Sequence, residues 1–449
     1  MTPTSYIILA AFCAMVASPY LLRRFSRAGT DAYGTFAVGA RNFGWFRIMA
    51  GLSATFVGGA AVINLAGLGY SFGWYGLSDV IPTSTALIAS AFIIVPMLAR
   101  RRNISLGSYL QGSGKLISAA TGLLSTVVYT LITAAQIVAL IRVVQPYFPI
   151  PAPFIALIAT MAVAAYLLYG GYASVTVTDV IQFIVMALCY FALVGVTLLV
   201  GAPPAPATPI TTKAMSLDLI LLLGLPLLFV PVSQDLHIRI NSAVSPRDAR
   251  LGVALAGICY FLFGLISVSV GRTMAGAGVE LKSPDDAVST FLAGHFGAFA
   301  VIPTIAVIAV VVSTLDSVLF ASASSLSYDF WDKITDKEHQ KDSARPRIAT
   351  LVVLGIALFI SLQTPRILQL ILAALVIYVS VLLPMLVGKY LEKQSNALGI
   401  VAFIALAAVT TLEAVGYAAP FRAFLYAAVH LAVVLCLRKQ TSTTKEQTA

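Results

Sequence analysis

Apolar runs of about twenty residues recur along almost the whole sequence, separated by short polar stretches. A hydrocarbon layer of roughly 30 Å takes about 20 apolar residues per helical crossing. Lipid offers no partner to an exposed peptide group, so runs of this kind fold as spanning α-helices. Their spacing predicts thirteen spans, near 5–22, 44–72, 76–99, 116–144, 150–168, 174–200, 216–238, 249–273, 298–327, 348–363, 367–387, 396–416 and 420–437. Only 10% of residues are charged, against about 25% in soluble domains, which excludes a soluble core protein. The expectation is an all-α polytopic membrane protein.

Net charge +10 is the usual mark of a nucleic-acid binder, but the placement of the charges points elsewhere. Threaded with the N-terminus outside, the loops on the inner side carry twenty-two of the 28 Lys and Arg, among them Arg23, Arg24, Arg100, Arg101, Arg102, Lys333 and Arg438. The outer side keeps Arg142, Lys213, Arg272, Lys282, Arg366 and Arg422. This bias predicts an outside N-terminus and an inside C-terminus, in the plasma (inner) membrane of a bacterial-type cell. No nucleic acid and no obligatory protein partner is called for; the expected partners are a small solute and membrane lipids. The four cysteines fall inside apolar spans and read as small core residues. Residues 5–22 lack a preceding basic residue and are expected to stay as the first helix rather than act as a cleaved signal. Residues 331–347 read as a solvated connector and 104–111 as a short amphipathic segment at the inner surface.

Two spans carry helix-breaking residues. The second holds Gly58-Gly59 and the seventh holds Pro226 and Pro231; glycine weakens a helix by about 1 kcal/mol and proline by about 3. For Gly58-Gly59 the competing role is close helix packing. The breaks lie five helices apart, each at the first member of a five-helix unit, and discontinuous helices at corresponding places in inverted repeats mark a transporter site. The chain divides accordingly into 1–40 (first helix and inner loop), 41–210 (first repeat), 211–393 (second repeat) and 394–449 (two peripheral helices and tail).

Intramembrane charges are costly and functional by default. Asp79, Arg142, Asp218 and Glu413 fall near outer helix ends, where they can snorkel; Asp235, His237 and Arg239 sit towards the inner end of the seventh helix, whereas Asp179 and Asp316 lie within long apolar spans. Ser313, Asp316 and Ser317 share one helix face by their i, i+3 and i, i+4 spacing. Hydroxyls beside an embedded carboxylate suit a hard cation, the alternative being back-bonding to the helix's own carbonyls. The four histidines are scattered and no HExxH-type pattern occurs, which argues against an intramembrane enzyme. No filter-like loop suggests a channel.

Four stretches together resemble the sodium:solute symporter family, whose architecture is the LeuT-type 5+5 inverted repeat: 51–70, Tyr169-Gly170-Gly171 through Asp179 to Gln182, Gln234 through Arg239 to Arg250, and Ser313–Ser317 continuing to Asp329. The likeness runs over about 40–390. It implies Na+ as coupling ion, held by the carbonyls of Ala54, Val57 and Val310 and the hydroxyls of Ser313 and Thr314. Some members use a second cation position, which maps to Asp179, Ser313, Asp316 and Ser317; many carry Ser or Ala at the place of Asp316, whose carboxylate here either strengthens that site or couples a proton. The solute pocket falls beside Phe56, Gly59, Ala60, Ala61, Gln136 and Phe229, with Tyr378 as a gate or as plain packing. Sugar-carrying members have amides and carboxylates on the broken second helix; Phe56, Ala60 and Ala61 stand there instead. An amino acid or small carboxylate is therefore expected rather than a sugar, its carboxylate held by N–H groups at a half-helix N-terminus. The expected activity is secondary active symport by alternating access, not enzymatic; the alternatives are a solute sensor on a transporter body and proton coupling.

Overall fold

In the computed structural model, residues 3–21, 43–98, 106–107, 114–200, 214–296, 301–335, 344–364, 366–416 and 421–438 are described. Much of the charge bias and most of the 104–111 segment lie outside them. The first helix, α1, is Pro3–Leu21. The second breaks into α2a, Trp45–Phe56, and α2b, Gly59–Phe72; α3 is Leu77–Leu98 and α4 Lys115–Val144. The stretch Ala152–Val200 turns at one non-helical residue, Gly171 (φ 57°, ψ −144°), into α5 (152–170) and α6 (172–200). The sequence suggested a five-residue gap here. One residue suffices because glycine alone enters that region without strain.

The seventh span consists of α7a, made of Leu217–Gly224, Pro226–Phe229 and a 3-10 turn Val230–Val232, and α7b, Gln234–Ser242. Then follow α8, Pro246–Gly276, and a short α9, Ala287–Phe296. Next are α10, Val301–Ser324, prolonged by a π-helical turn and one more turn to Thr335, and α11, Ala344–Gln363. The remaining helices are α12, Ile367–Tyr390, α13, Ser395–Ala414, and α14, Arg422–Cys436. Ten segments among the described residues are long and apolar enough to cross a membrane; 61–98 and 152–188 each hold parts of two helices, and α14 is a shorter apolar helix. Counting those pairs separately and adding α14 gives thirteen candidate spans among the described residues, the number the hydropathy suggested. Among the described residues there is no β-strand, only the bridge between Phe43 and Ala243.

That bridge ties the entry of α2a to the exit of α7b, through Phe43 N–H to Ser242 O at 3.2 Å and Val244 N–H to Phe43 O at 3.0 Å. Ser245 caps α8, accepting from Asp248 N–H at 3.1 Å, and Asp248 Oδ1 accepts from Trp45 N–H at 3.1 Å, so α2 and α8 start side by side. Above this point α2b and α8 meet backbone to backbone. A Cβ on Gly69 would stand 2.2 Å from Val268 O, and one on Gly271 1.8 Å from Ala66 O. Small residues permit such approach where lipid supplies no hydrophobic drive between helices.

Every residue from 308 to 325 is buried, so α10 is enclosed on all faces, chiefly by α4, α5 and α6. Outward side chains such as Phe92, Ile158, Phe359 and Ile404 are exposed and apolar, as a lipid-facing belt requires. Residues 331–347 are in part helical rather than a free connector: Arg345 binds Asp332 at 2.9 Å and stands over the Trp331 ring.

Candidate ion and solute site

The two breaks face each other beside α10. Helix α2a ends at Val57, whose N–H still bonds Ser53 O at 2.9 Å, and α2b restarts at Gly59. A Cβ on Gly58 would lie 2.3 Å from Thr314 Oγ1, and one on Gly59 1.8 Å from Val311 Cγ2. The glycine pair therefore serves close packing on α10 and a chain break at once. In α7 the extended residue is Ser233 (φ −66°, ψ 136°), two residues after Pro231. Tyr378 Oη donates to Val232 O at 2.7 Å and its ring meets Phe229 edge-on at 4.9 Å. Tyr378 thus satisfies a carbonyl freed by the break and is not among the residues that line the cavity.

Thr314 Oγ1 lies 3.1 Å from Ala54 O, 3.2 Å from Thr55 O and 3.1 Å from Val310 O. One hydroxyl with three carbonyls around it is an oxygen-rich point of the kind a hard cation selects. Of the five oxygens taken from the family resemblance, those of Ala54, Val310 and Thr314 meet here, joined by Thr55 O. Ser313 turns the other way, donating to Asp179 Oδ1 at 2.6 Å. Among the described residues the Val57 carbonyl makes no hydrogen bond to Ser313 or Thr314.

Next to this point lies a cluster whose centre the sequence reading passed over. Arg239, placed by that reading only towards a helix end, is 2% exposed. Its Nη2 donates to Asp179 Oδ2 at 2.9 Å, Thr55 Oγ1 at 2.7 Å and Ser317 Oγ at 3.0 Å, and its Nη1 binds Asp235 Oδ1. Gly51 makes room, since a Cβ there would be 2.7 Å from Arg239 Nε. Asp316 is fully buried and answers to other partners: Oδ2 accepts from Tyr166 Oη at 2.5 Å and Thr178 Oγ1 at 3.0 Å, while Oδ1 makes no hydrogen bond among the described residues. Asp179 is thus held against the guanidinium of α7b, and Asp316 against hydroxyls of α5 and α6. The signal for Arg239 was available in sequence: α7b is a nine-residue helix, QDLHIRINS, bounded by apolar spans and buried throughout.

Between the breaks is a cavity of about 120 Å³. Phe56, Gly58 and Ala61 line it from α2, Phe229 and Asp235 from α7, and Gln136 from α4. Gly59 is buried next to it without lining it, and the Ala60 side chain lies outside the described positions. The broken helix is less poor in polar groups than its Phe56, Ala60 and Ala61 suggested: Thr55 and Asn64 line the cavity from it, beside Asp79, Tyr129 and Tyr260 of other helices. Asp79, half-buried in the first turn of α3, borders the cavity as well, and its Oδ2 accepts from Tyr260 Oη at 2.8 Å. Tyr129 Oη accepts from Asp235 N–H at 3.2 Å, the free N-terminus of α7b.

The sequence profile of the sodium:solute symporter family matches residues 36–216 and 208–407. The chain belongs to the sodium:solute symporter family. Among curated symporters, the sodium/proline symporter of Staphylococcus aureus is 23% identical over 394 residues, covering 80% of this chain and 75% of that protein. Sodium/proline symporter 2 of Staphylococcus saprophyticus is 22% identical, covering 75% and 71%. Among solved structures, a substrate-bound, outward-open sodium-coupled sialic acid symporter superposes with a TM-score of 0.70 at 13% identity, over 98% of this chain and 99% of that one. Inward-facing Mhp1 gives 0.53 at 16% identity, over 87% and 90%. This symporter is a multi-pass membrane protein of LeuT-like fold, and its relatives are transporters rather than enzymes.

Proposed function

We propose that this symporter moves a small amino acid or related carboxylate, driven by sodium, through the cavity between the two breaks. The observation that carries the reading is the convergence of Ala54 O, Thr55 O and Val310 O on Thr314 Oγ1, at a helix break that also borders the cavity. Carbonyls released at a break, facing a hydroxyl on a neighbouring helix, suit a coupling ion. Ion and solute then share one wall: Thr55 and Thr314 line the cavity and also belong to the ion group. Filling one site stiffens the wall that the other needs, and coupling between them is reciprocal.

Charge balance supports a cation here. Arg239 faces two carboxylates, Asp179 and Asp235, so the ionised cluster keeps one negative charge that sodium beside Ser313 and Thr314 would compensate. The oxygens of Asp179, Ser313, Asp316 and Ser317 form a second cation position, where the unbonded Oδ1 of Asp316 receives either a sodium ion or a proton. For the solute, the N-terminus of α2b at 59–61 offers N–H groups to a carboxylate. The size fits: a cavity of about 150 Å³ holds benzene, so this one takes about six non-hydrogen atoms. Orientation is N-terminus outside and C-terminus inside, with repeats over 41–210 and 211–393 rocking about the fixed site.

Uptake into proteoliposomes under an imposed sodium gradient tests the proposal. Uptake is expected to fall to background when choline replaces sodium at constant pH and voltage; equal uptake in both would overturn sodium coupling.

A further inference from the structure

Asp79, half-buried at the cavity, stands apart from the acids that hold an Arg partner. Asp179 and Asp235 share Arg239, Asp332 has Arg345, Glu413 has Arg422, and Asp285 has Arg142. Asp316 is held by two hydroxyls. Asp79 borders the central cavity, one of its oxygens is fixed by Tyr260 at 2.8 Å, and no Lys or Arg pairs with it among the described residues. A carboxylate kept within a membrane protein without a cation is costly, and such residues mark ligand or ion paths.

The cavity supplies the context. Asp79 enters it from α3, while Gly58 and Ala61 enter at the N-terminus of α2b. One wall thus carries a fixed negative charge and another carries peptide N–H groups at the positive end of a helix. With room for about six non-hydrogen atoms, both walls are within reach of one small molecule.

We infer that Asp79 is the counter-ion for a protonated amine on the solute, so that the solute is a zwitterionic amino acid rather than an amine-free carboxylate. The inference rests on the proposed symport and narrows its substrate class. Tyr260 acts as a positioning residue: its hydroxyl orients the carboxylate and leaves the second oxygen for the ammonium. A charge-assisted hydrogen bond between ammonium and carboxylate discriminates strongly, because an amine-free ligand that fills the cavity leaves the carboxylate without that partner.

The test compares matched pairs on the purified full-length protein in sodium: glycine with acetate, alanine with propionate, proline with cyclopentanecarboxylate, extended to the remaining common amino acids and their deamino counterparts. Thermal stabilisation and proteoliposome uptake are both read. At least one amine-bearing member is expected to bind roughly 100-fold or more tightly than its deamino partner, and Asp79→Asn is expected to erase that ratio. Tyr260→Phe keeps the carboxylate, so it should retain the amine requirement with weaker binding, and it serves if Asp79→Asn does not fold. Equal binding of amine and deamino partners, no response to any amine, or an undiminished ratio in Asp79→Asn would each overturn the inference. Sodium-driven uptake of an amine-free solute would do so while leaving sodium symport intact.

Discussion

Arg239 Nη2 lies 2.9 Å from Asp179 Oδ2, both side chains almost wholly buried and drawn from α7b and α6. The same guanidinium reaches Asp235 on its own helix and Ser317 on α10. It thereby links the second half of one broken helix to the helix that carries the candidate ion site, next to the break in the other. A fixed cation between two carboxylates also sets how much negative charge is left for a mobile one.

Arg239→Gln should therefore strand both carboxylates. Breaking a buried pair costs about 3–5 kcal/mol, so a large fall in melting temperature in detergent is expected. Adding Asp235→Asn removes one stranded charge and should recover part of the loss. A double variant no more stable than the single one would show that Asp235 is not charged against Arg239.

Thr314→Ala removes the hydroxyl at which three carbonyls meet. The net loss of one such interaction is about 1–2 kcal/mol, so the sodium concentration for half-maximal uptake should rise roughly tenfold. Folding should survive, since the carbonyls remain within helices α2a and α10. Unchanged sodium dependence would mean that Thr314 only bonds back to Val310.

Asp316→Asn is expected to alter the number of cations moved per solute or the pH profile of transport, measured from reversal potentials in proteoliposomes. Tyr166 and Thr178 both donate to Oδ2, so the amide oxygen keeps those partners and the fold. A wild-type ion-to-solute ratio together with a wild-type pH profile would reduce Asp316 to a structural acceptor.

Gly59→Ala should abolish transport and lower expression, because the added Cβ falls 1.8 Å from Val311 Cγ2 and 2.8 Å from the Val311 backbone. Gly224, at the end of the first segment of α7a, has nothing within 4 Å of an added Cβ. Gly224→Ala should leave transport intact and the melting temperature equal or higher. Thermal scans and uptake on the two variants read the contrast.

Asp285, in the turn before α9, lies outside the spanning helices 3.6 Å from Arg142. Burial pushes its carboxyl above the usual range, outweighing the attraction of Arg142, with Asp286 adding to the rise. The folded protein then holds the proton more tightly than the unfolded chain. The stabilisation is present below the unfolded pKa and is lost as pH rises through the raised folded value. Asp285→Asn should flatten that part of the pH–stability curve; an unaltered slope would place the titration elsewhere.

Helix number, the two discontinuous spans and the meeting of Ala54, Val310 and Thr314 oxygens at a candidate ion site were legible in the sequence, for a physical reason. Lipid forces each crossing into a long apolar run, and glycine or proline within one is conspicuous. Asp179 and Asp316 stood out equally, as carboxylates inside apolar runs. What the sequence could not supply was partnership. Asp79 looked like a snorkelling residue because its place near a helix start was visible, whereas its contact with Tyr260, 181 positions away, was not. Ser313 and Thr314 are neighbours in sequence yet face Asp179 and the α2a carbonyls respectively, since successive helical residues point about 100° apart. Arg239 read as a charge at a helix end until α2a, α6 and α10 closed round it. Hydropathy fixes which segments enter the membrane; only the packing of helices distant in the chain decides which polar groups meet there, and so which charges are compensated and which await a ligand.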